Sequence, residues 1–312
     1  MNGDSIMDAP RLSVCISTYH RVALLDTLLG ELVAQTRRPQ QVVVVDNDPL
    51  GSARDVVTAW RQRYAEIDWV YDVQPEKNIS LTRNRTIALA DGAWLAFIDD
   101  DERAHPQWLE ALETARVRHE ADGVLAPIVP VVPPDAPDWV RRGRFYDDPH
   151  MPSGTIVPHN VMRIGNALLS AAWLKRIDPV FDPAFGLTGG EDGDMLMRLA
   201  NLGARLVWSE EAGVTEPVVA ARMRLDWILK RALRGGQDFG WHFRGGKLGG
   251  RPGFARSLLF FARAAAQAAI AGILAVLMLV RGRHHAVYWA ARCSANLGKL
   301  SVLGGLHYRE YA

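Results

Sequence analysis

Cysteine is nearly absent from this sequence. Only Cys15 and Cys293 occur among 312 residues, far apart and without the spacing of metal ligands. Their scarcity excludes a disulfide framework and a cysteine-based zinc site, and it is typical of proteins in a reducing compartment. The N-terminal stretch MNGDSIMDAPRL has no apolar run, so we expect no secretory signal.

Acidic residues are scarce in the C-terminal part. From Ala221 onward the sequence has 15 Lys and Arg residues and only three Asp and Glu, whereas the preceding 220 residues have 21 and 32. The two parts therefore carry formal charges of +12 and −11, although the whole chain carries only +1. This polarity predicts a cation site in the acidic part. It also predicts contact with an anionic surface in the basic part, unless the basic residues only form a solvated face.

Strand-like runs alternate with helix-like segments over the first hundred residues. The continuous β-branched run Val42–Val45 is typical of a strand covered on both faces, as in a parallel sheet. Such alternation predicts βαβ units and a doubly wound α/β layer. The predicted strands are Arg11–Ser17, Gln41–Val45, Trp69–Val73 and Trp94–Ile98, and the predicted helices are Val22–Gln35, Ala53–Tyr64 and Leu81–Ala90.

A run of carboxylates, Asp99–Glu102, directly follows the apolar strand Trp94–Ile98. At the carboxyl end of a parallel strand, such side chains converge on the crevice where α/β sheets bind ligands. Hard oxygen ligands select Mg²⁺ or Mn²⁺, typically held by one or two carboxylates together with substrate phosphates. The run therefore predicts a metal site, with a solvated acidic loop as the alternative.

A second acidic motif is GGEDGD, residues 189–194, which precedes an apolar helical segment. Its glycines let the backbone approach a ligand closely, and one of its carboxylates, such as Asp192, could act as a general base. The alternative is ordinary capping of the helix N-terminus by Asp192 or Asp194. The motif alone leaves both interpretations open.

A third acid, Asp46, stands immediately after the valine-rich strand. A dinucleotide-binding fold also places an acid there, but it needs the pattern G-x-G-x-x-G after its first strand. This chain has Ser17-Thr18-Tyr19-His20-Arg21 at that place, which argues against NAD binding.

Taken together, these features resemble the family 2 glycosyltransferases, which are inverting enzymes with a GT-A fold. The resemblance covers about Leu12 to Gly236. It rests on Ser13–Tyr19 (SVCISTY), Asp46, Asn78, Arg83-Asn84, Asp99–Asp101, Gly165-Asn166 and Glu191-Asp192. Within the family the chain looks most like bacterial exopolysaccharide enzymes that extend lipid-linked repeat units, as in succinoglycan assembly.

The resemblance implies a GT-A-like doubly wound mixed sheet, with a Rossmann-like nucleotide-binding half and an acceptor half. It implies a metal ion, Mg²⁺ or Mn²⁺, on Asp99 and Asp101, and Asp192 as the catalytic base. The remaining implied roles are donor contacts by Thr18, Tyr19, Arg21, Asp46, Asn78, Arg83, Asp99 and Asp100, and an acceptor or sugar region at Gly165, Asn166 and Glu191.

The same resemblance implies the partners and the mode of action. The donor would be a nucleotide-diphosphate sugar, with Asp46 accepting from the ring N–H of uracil if the nucleotide is UDP. The acceptor would be a lipid-linked saccharide or polysaccharide precursor, and no nucleic acid is expected. Thr215-Glu216-Pro217 stands where many relatives have a metal-binding histidine, and the Q-x-x-R-W motif of processive synthases is missing, which favours single additions.

The C-terminal region, residues 237–312, is expected to be separate from a catalytic domain of residues 1–236. A Gly-rich linker, Gly235–Gly253, spans its start, and it contains an apolar segment, Leu258–Val280, of which Ala264–Val280 has no charged residue. A bilayer core needs about 20 residues, so the segment is near the required length. We expect an embedded or hairpin-like anchor at the cytoplasmic face of a membrane. A single span and a buried helix of a soluble protein are the alternatives.

Other functions are also compatible with acidic loops on an α/β sheet. A nucleotidyltransferase that makes nucleotide-sugars would use a carboxylate-bound metal, but it usually has a Gly-rich basic loop after the first strand. A catalytically dead sugar-binding protein would be expected to lack one of the two acidic motifs. A phosphatase with an aspartyl nucleophile would have a threonine shortly after its acid pair, where this chain has Glu102-Arg103.

Overall fold

The computed structural model describes residues 10–147 and 149–306. The N-terminal stretch on which the expectation about a secretory signal rests lies largely outside these residues. The chain forms two compact units. The first comprises the chain up to Ile128 together with His150–Gly186 and Glu191–Val214, and the second comprises Val129–Pro149, Leu187–Gly190 and the chain from Thr215.

Nine strands and ten α-helices are present in the described residues. The strands are β1 (Leu12–Thr18), β2 (Gln41–Asp46), β3 (Asp68–Val73), β4 (Trp94–Ile98), β5 (Gly123–Leu125), β6 (Ile128–Val131), β7 (Asn166–Ser170), β8 (Leu206–Trp208) and β9 (Val214–Pro217). The helices are α1 (Val22–Val33), α2 (Arg54–Arg63), α3 (Ile79–Leu89), α4 (Trp108–Arg118), α5 (Asp138–Gly143), α6 (Ala171–Leu174), α7 (Glu191–Asn201), α8 (Leu225–Arg244), α9 (Phe254–Leu277) and α10 (Arg283–Ser301).

Seven strands of the first unit form one mixed sheet in the order β3-β2-β1-β4-β7-β5-β8. The neighbours β3, β2, β1 and β4 are parallel, β7 is antiparallel to both β4 and β5, and β8 is parallel to β5. The predicted α/β class and the early strand–helix alternation are therefore confirmed. Strands β6 and β9 form a separate two-stranded sheet.

Because the sheet is buried, its strands have unbroken apolar sequences. All six residues of β2 are buried, as expected for a parallel strand with helices on both faces. Helix α1 contributes Leu25, Leu28, Leu29 and Leu32 to this core, and α4 contributes Trp108, Leu109 and Leu112. Their spacing of three and four residues places them on one side of each helix.

The second unit contains the long helices α8, α9 and α10. Part of the expected Gly-rich linker is helical. Gly235, Gly236 and Gly240 lie inside α8, so only the later part of Gly235–Gly253 is irregular. Gly236 and Gly298 allow α8 and α10 to pack closely. A Cβ at Gly236 would lie 1.8 Å from the carbonyl oxygen of Ala295, and one at Gly298 would lie 2.0 Å from that of Leu233. The division at residue 236 stays a prediction.

Within the described residues, one helical stretch, Phe254–Arg281, is long and apolar enough to cross a membrane, with a mean hydropathy of 1.9 over 18 consecutive residues. It comprises α9 and a 3-10 turn at Met278–Arg281. Most of its large side chains are exposed, including those of Leu258, Ile273 and Val280.

The close packing at Gly236 leads to a stability prediction. We expect Gly236→Ala to lower the free energy of unfolding by about 1–3 kcal/mol, because the added carbon would overlap the α10 backbone. Gly235→Ala is the control, since nothing lies within 4 Å of its added carbon. It should leave stability unchanged or raise it by about 0.5–1 kcal/mol, because alanine favours helix over glycine. Urea unfolding followed by circular dichroism distinguishes the two, and equal midpoints would contradict the close packing.

Candidate active site

The polar residues predicted from the sequence converge at one edge of the seven-stranded sheet. Strands β1, β2 and β4 are parallel, so their carboxyl ends lie at the same edge, where open α/β sheets bind ligands. Thr18 ends β1 and lies in register with Asp46 at the end of β2. Strand β7 runs the other way and therefore begins at this edge, with Asn166 opposite Ile98 of β4.

Asp100 is buried within the acidic run after β4. Its carboxylate accepts hydrogen bonds from Thr18 Oγ1 at 2.8 Å and from Arg21 Nη1 at 2.9 Å. The same Arg21 nitrogen lies 2.8 Å from Asp101 Oδ2, so one guanidinium bridges two adjacent carboxylates. Burial raises the pKa of Asp100, and the charge of Arg21 acts in the opposite direction.

Arg83, on α3, connects the two acidic motifs that the sequence predicts. Its Nη1 donates to Glu191 Oε1 at 2.6 Å, and its Nη2 donates to Asp99 Oδ1 at 3.2 Å. Arg83 and Glu191 are buried, whereas 42% of the Asp99 side chain is exposed. The arginine thereby fixes the start of α7 against the end of β4, although Arg83 and Glu191 are 108 residues apart in sequence.

Glu191, in the first turn of α7, is also buried. Burial raises its pKa from the ordinary value of 4.5 to about 7, opposed by Arg83 and reinforced by the nearby charges of Asp192 and Asp99. Its Oε2 atom has no hydrogen-bond partner among the described residues. Asp192, the next residue, is only partly buried, and its Oδ1 accepts from the backbone N–H of Gly193 at 2.7 Å. Asp192 is therefore the more accessible carboxylate of this pair.

Gly165 and Asn166, predicted to lie in the acceptor or sugar region, differ in what they contact. A Cβ at Gly165 would lie 2.7 Å from Glu102 Oε1 and 3.2 Å from Asp99 Oδ2, so the backbone there packs directly against two carboxylates. The Asn166 side chain instead points into the protein. Its Oδ1 accepts from Trp108 Nε1, and its Nδ2 donates to the carbonyls of Pro127 and Ala212. In this structure Asn166 supports the site and does not line it.

Two of the predicted donor contacts, Asp46 and Asn78, also have internal partners. The fully buried carboxylate of Asp46 accepts from the backbone of Asp48 and Ala53, the Ser52 hydroxyl and the Tyr71 hydroxyl. Asn78 caps α3 by accepting from Leu81 N and donates to the Pro183 carbonyl. These residues hold the loops at the sheet edge.

Tyr19 is the one aromatic residue among the predicted donor contacts, and its side chain is accessible. It is 42% exposed, and the ammonium group of Lys77 lies 5.9 Å from its ring. An exposed ring at this edge could stack on a planar ligand such as a base.

Comparisons with known proteins agree with this geometry. Residues 13–169, about half of the chain, match the family model described as Glycosyl transferase family 2. The chain belongs to this family. A curated relative, the succinoglycan biosynthesis protein ExoM of Rhizobium meliloti, is 36% identical over 236 residues, which cover 73% of this chain and 74% of the relative. The validoxylamine A glucosyltransferase of Streptomyces hygroscopicus subsp. limoneus is 30% identical, over 67% of this chain and 52% of that relative.

Solved structures support the GT-A fold of this family 2 glycosyltransferase. The mannosyltransferase PcManGT from Pyrobaculum calidifontis, solved with GDP-Man and Mn²⁺, superimposes with a TM-score of 0.61 at 19% identity, over 94% of this chain and 88% of that one. S. aureus TarS 1–349, solved with UDP-GlcNAc, gives a TM-score of 0.52 at 17% identity, over 96% and 93%. Membership in this family argues against the nucleotidyltransferase and phosphatase alternatives.

The charge at the sheet edge of this glycosyltransferase fits a divalent cation. Six acidic residues, namely Asp99–Glu102, Glu191 and Asp192, are accompanied by the two arginines Arg21 and Arg83. Asp99 and Asp101, the predicted metal ligands, offer hard oxygen atoms of the kind that Mg²⁺ and Mn²⁺ take alongside substrate phosphates. No three His, Cys, Asp or Glu side chains within residues 10–147 and 149–306 are arranged to hold a metal ion.

Three residues at the edge had no role assigned from the sequence. Glu102 accepts from the backbone N–H of Asp99 and so fixes the turn after β4. Asn47 binds the carbonyls of Gln74 and Glu76 and accepts from Asn78 N. Tyr71 binds Asp46, and burial together with that carboxylate raises its pKa. Glu102 belongs to the acidic run, but no local signal indicates the roles of Asn47 and Tyr71.

The raised pKa of Glu191 predicts a specific pH dependence of stability. Burying the ionised carboxylate opposes folding, so the wild-type protein should lose free energy of unfolding relative to Glu191→Gln as the pH rises from 4.5 to about 7. The loss is about 1.4 kcal/mol for each unit that separates the folded and unfolded pKa values. Above about pH 7 the difference should stay constant.

Urea unfolding of both proteins across this pH range measures the effect. Glu66→Gln, which removes an exposed carboxylate, is the control and should show no comparable change. A wild-type protein that gains stability over Glu191→Gln through the same pH range would contradict the assignment.

Proposed function

We propose that this family 2 enzyme is an inverting, metal-dependent glycosyltransferase that moves a sugar from a UDP-sugar to a lipid-linked saccharide during exopolysaccharide assembly. The observation that carries the proposal is the bridge by Arg83 between Asp99 and Glu191. It brings the acidic donor edge next to Asp192, so that a nucleotide-bound sugar and a general base can be within reach of each other.

The donor half of the proposal rests on the ends of β1, β2 and β4. Tyr19 would stack on the base, and Asp46 would accept from its ring N–H. The hydroxyls of Ser52 and Tyr71, at 3.3 and 3.1 Å from Asp46, are the longest of its bonds and are the ones that can rotate away. S. aureus TarS 1–349 was solved in complex with UDP-GlcNAc, and we propose only the nucleotide part of that ligand for this chain.

The metal would be held by Asp101 and Asp99, with the donor phosphates as further ligands. When bound, it stabilises the negative charge that develops on the departing nucleoside diphosphate. Arg21 offsets part of the negative charge of Asp100 and Asp101 in the free protein and would have to share them with the cation. Thr18 keeps Asp100 oriented through the hydrogen bond from its hydroxyl.

Asp192 would act as the general base on the acceptor hydroxyl. It lies in the first turn of α7, and the Gly193 N–H orients its carboxylate. Glu191 is a poorer candidate because it is buried and occupied by Arg83. Removal of the acceptor proton as the oxygen attacks the anomeric carbon from the face opposite the diphosphate inverts the configuration in one displacement.

The acceptor and the location are proposed from the relatives and the C-terminal region. The similarity to ExoM supports exopolysaccharide assembly, in which a growing saccharide carried on a lipid would be extended. The basic second unit and its exposed apolar helix α9 support action at the cytoplasmic face of a membrane, where such an acceptor and a nucleotide-sugar can meet.

The donor assignment is tested with the full-length purified protein and a panel of UDP-, GDP- and dTDP-sugars. We expect slow release of UDP from one UDP-sugar, and a loss of nucleotide-sugar binding in calorimetry when the metal is removed by a chelator. Asp101→Asn should reproduce the effect of the chelator, because it removes one charged oxygen ligand. Unchanged donor affinity in both cases would show that the metal assignment is wrong.

The assignment of the base is tested with Asp192→Asn. Donor and metal affinity should be retained while transfer falls by about 10²–10⁴-fold, which is the usual contribution of a general base. Asp55→Asn is the matched control, because Asp55 occupies the first turn of α2 and is exposed. Near-normal turnover by Asp192→Asn would show that Asp192 is not the general base and would leave Glu191 and Asp194 as the candidates.

A further inference from the structure

Helix α9 presents a continuous apolar surface on the second unit. Its inner face consists of small buried residues, Ala264, Ala268 and Ala271, and a Cβ at Gly272 would lie 3.6 Å from Cys293 Sγ of α10. The outer face carries the exposed side chains of Leu258, Leu259, Ile270, Ile273, Val276, Leu277 and Val280. A contiguous exposed apolar face of this kind marks a protein or membrane interaction site, so this outer face requires a partner.

The charges around α9 indicate the chemistry of that partner. Between Phe239 and Leu306 the sequence contains nine Lys and Arg residues and no Asp or Glu. Arg256, Arg263 and Gln267 are spaced by seven and four residues, which aligns them along one border of the apolar face. Two copies of this surface would repel each other, whereas anionic lipid headgroups would complement it.

The packing of α10 argues against α9 crossing the bilayer. The two helices form a hairpin around Gly282, and the contact between Gly272 and Cys293 lies ten and eleven residues from that glycine along the chain. A spanning α9 would therefore carry Arg292 to the depth of the acyl chains. Arg292 is exposed, and its Nη1 donates to the uncharged Tyr288 Oη at 2.8 Å. Neither α9 nor α10 contains an Asp or Glu that could neutralise its charge there.

Helix α8 would make a span still less favourable. It packs on α10 through Gly236 and Gly298, and it carries charged residues including Asp226, Lys230 and Arg244. Charged side chains in the centre of a bilayer are costly, and those near its surface can extend to the headgroups. An in-plane helix avoids this cost because only its outer face enters the acyl region.

We infer that α9 lies in the plane of an anionic membrane surface, with its outer face among the acyl chains and both of its ends on the cytoplasmic side. This inference rests on the proposed membrane association and specifies its geometry. Tyr288, 44% exposed on α10, has the amphipathic ring that is typical of the membrane interface. Arg263, which is exposed, would reach the headgroups from the border of the face.

Cysteine accessibility distinguishes the in-plane helix from a span. Single cysteines are introduced in the full chain as Arg251→Cys, before α9, and His285→Cys, after it, in a Cys293→Ala background. Cys15 needs no replacement, because burial raises the pKa of its thiol to about 12 and keeps it from reacting. Inverted inner-membrane vesicles from a bacterial host are treated with an impermeant maleimide, before and after detergent.

We expect both cysteines to react fully before detergent is added, because both ends of α9 lie on the cytoplasmic side. Labelling of Arg251→Cys alone, with His285→Cys reacting only after detergent, would establish a span and overturn the in-plane geometry while leaving membrane association intact. A protein that is missing from the vesicles would overturn both proposals, and dimers in light scattering would then identify a second copy as the partner.

The outer face itself is tested with Ile273→Asp and vesicles of phosphatidylcholine and phosphatidylglycerol in equal amounts. Val117→Asp on α4 is the matched control, because Val117 is 61% exposed and Ile273 62%. The partition coefficient of Ile273→Asp between water and vesicles should fall by about tenfold or more, because one large aliphatic side chain is no longer buried among the acyl chains. Val117→Asp should bind like the wild-type protein, and equal binding of both variants would overturn the inference.

Discussion

The site depends on keeping several carboxylates together at one edge of a sheet. Adjacent acids after β4 repel one another, and burial of Asp100 and Glu191 increases the cost of their charges. Two arginines offset this cost. Arg21 bridges Asp100 and Asp101, and Arg83 bridges Asp99 and Glu191. The loops that bear the acids can approach each other because these guanidinium groups lie between them.

Other features of the first unit serve the same arrangement. At Gly165 there is no side chain, so the backbone packs directly against Glu102 and Asp99. The side-chain amide of Asn166 fixes the start of β7 through its hydrogen bond with Trp108. Asn78 and Asp46 hold the loops that follow β2 and precede α3. A family 2 glycosyltransferase must hold a nucleotide, a sugar and a general base within a few ångströms of one another. These residues are uncharged or hydrogen-bonded inside the protein, and they make the sheet edge rigid.

The second unit follows a different principle. Its helices pack through glycine and alanine, and the large apolar side chains of α9 remain on the outside. Its formal charge is opposite to that of the acidic first part of the chain. The acidic site residues and the basic C-terminal residues therefore lie in different parts of the chain, and this is visible in the sequence as a change in charge after Ala221.

The sequence by itself determined the early strand–helix alternation, the α/β class, the family and the two acidic motifs. These features depend on local periodicity and on short motifs, such as the Val42–Val45 run and Asp99–Asp101. Only the tertiary structure decided that β7 enters the sheet antiparallel, that Arg83 joins Asp99 to Glu191, and that Gly236 belongs to a helix. It also turned Asn166 inward, towards Trp108. These outcomes depend on contacts between residues far apart in the chain, which leave no local pattern because the packing of the whole unit decides them.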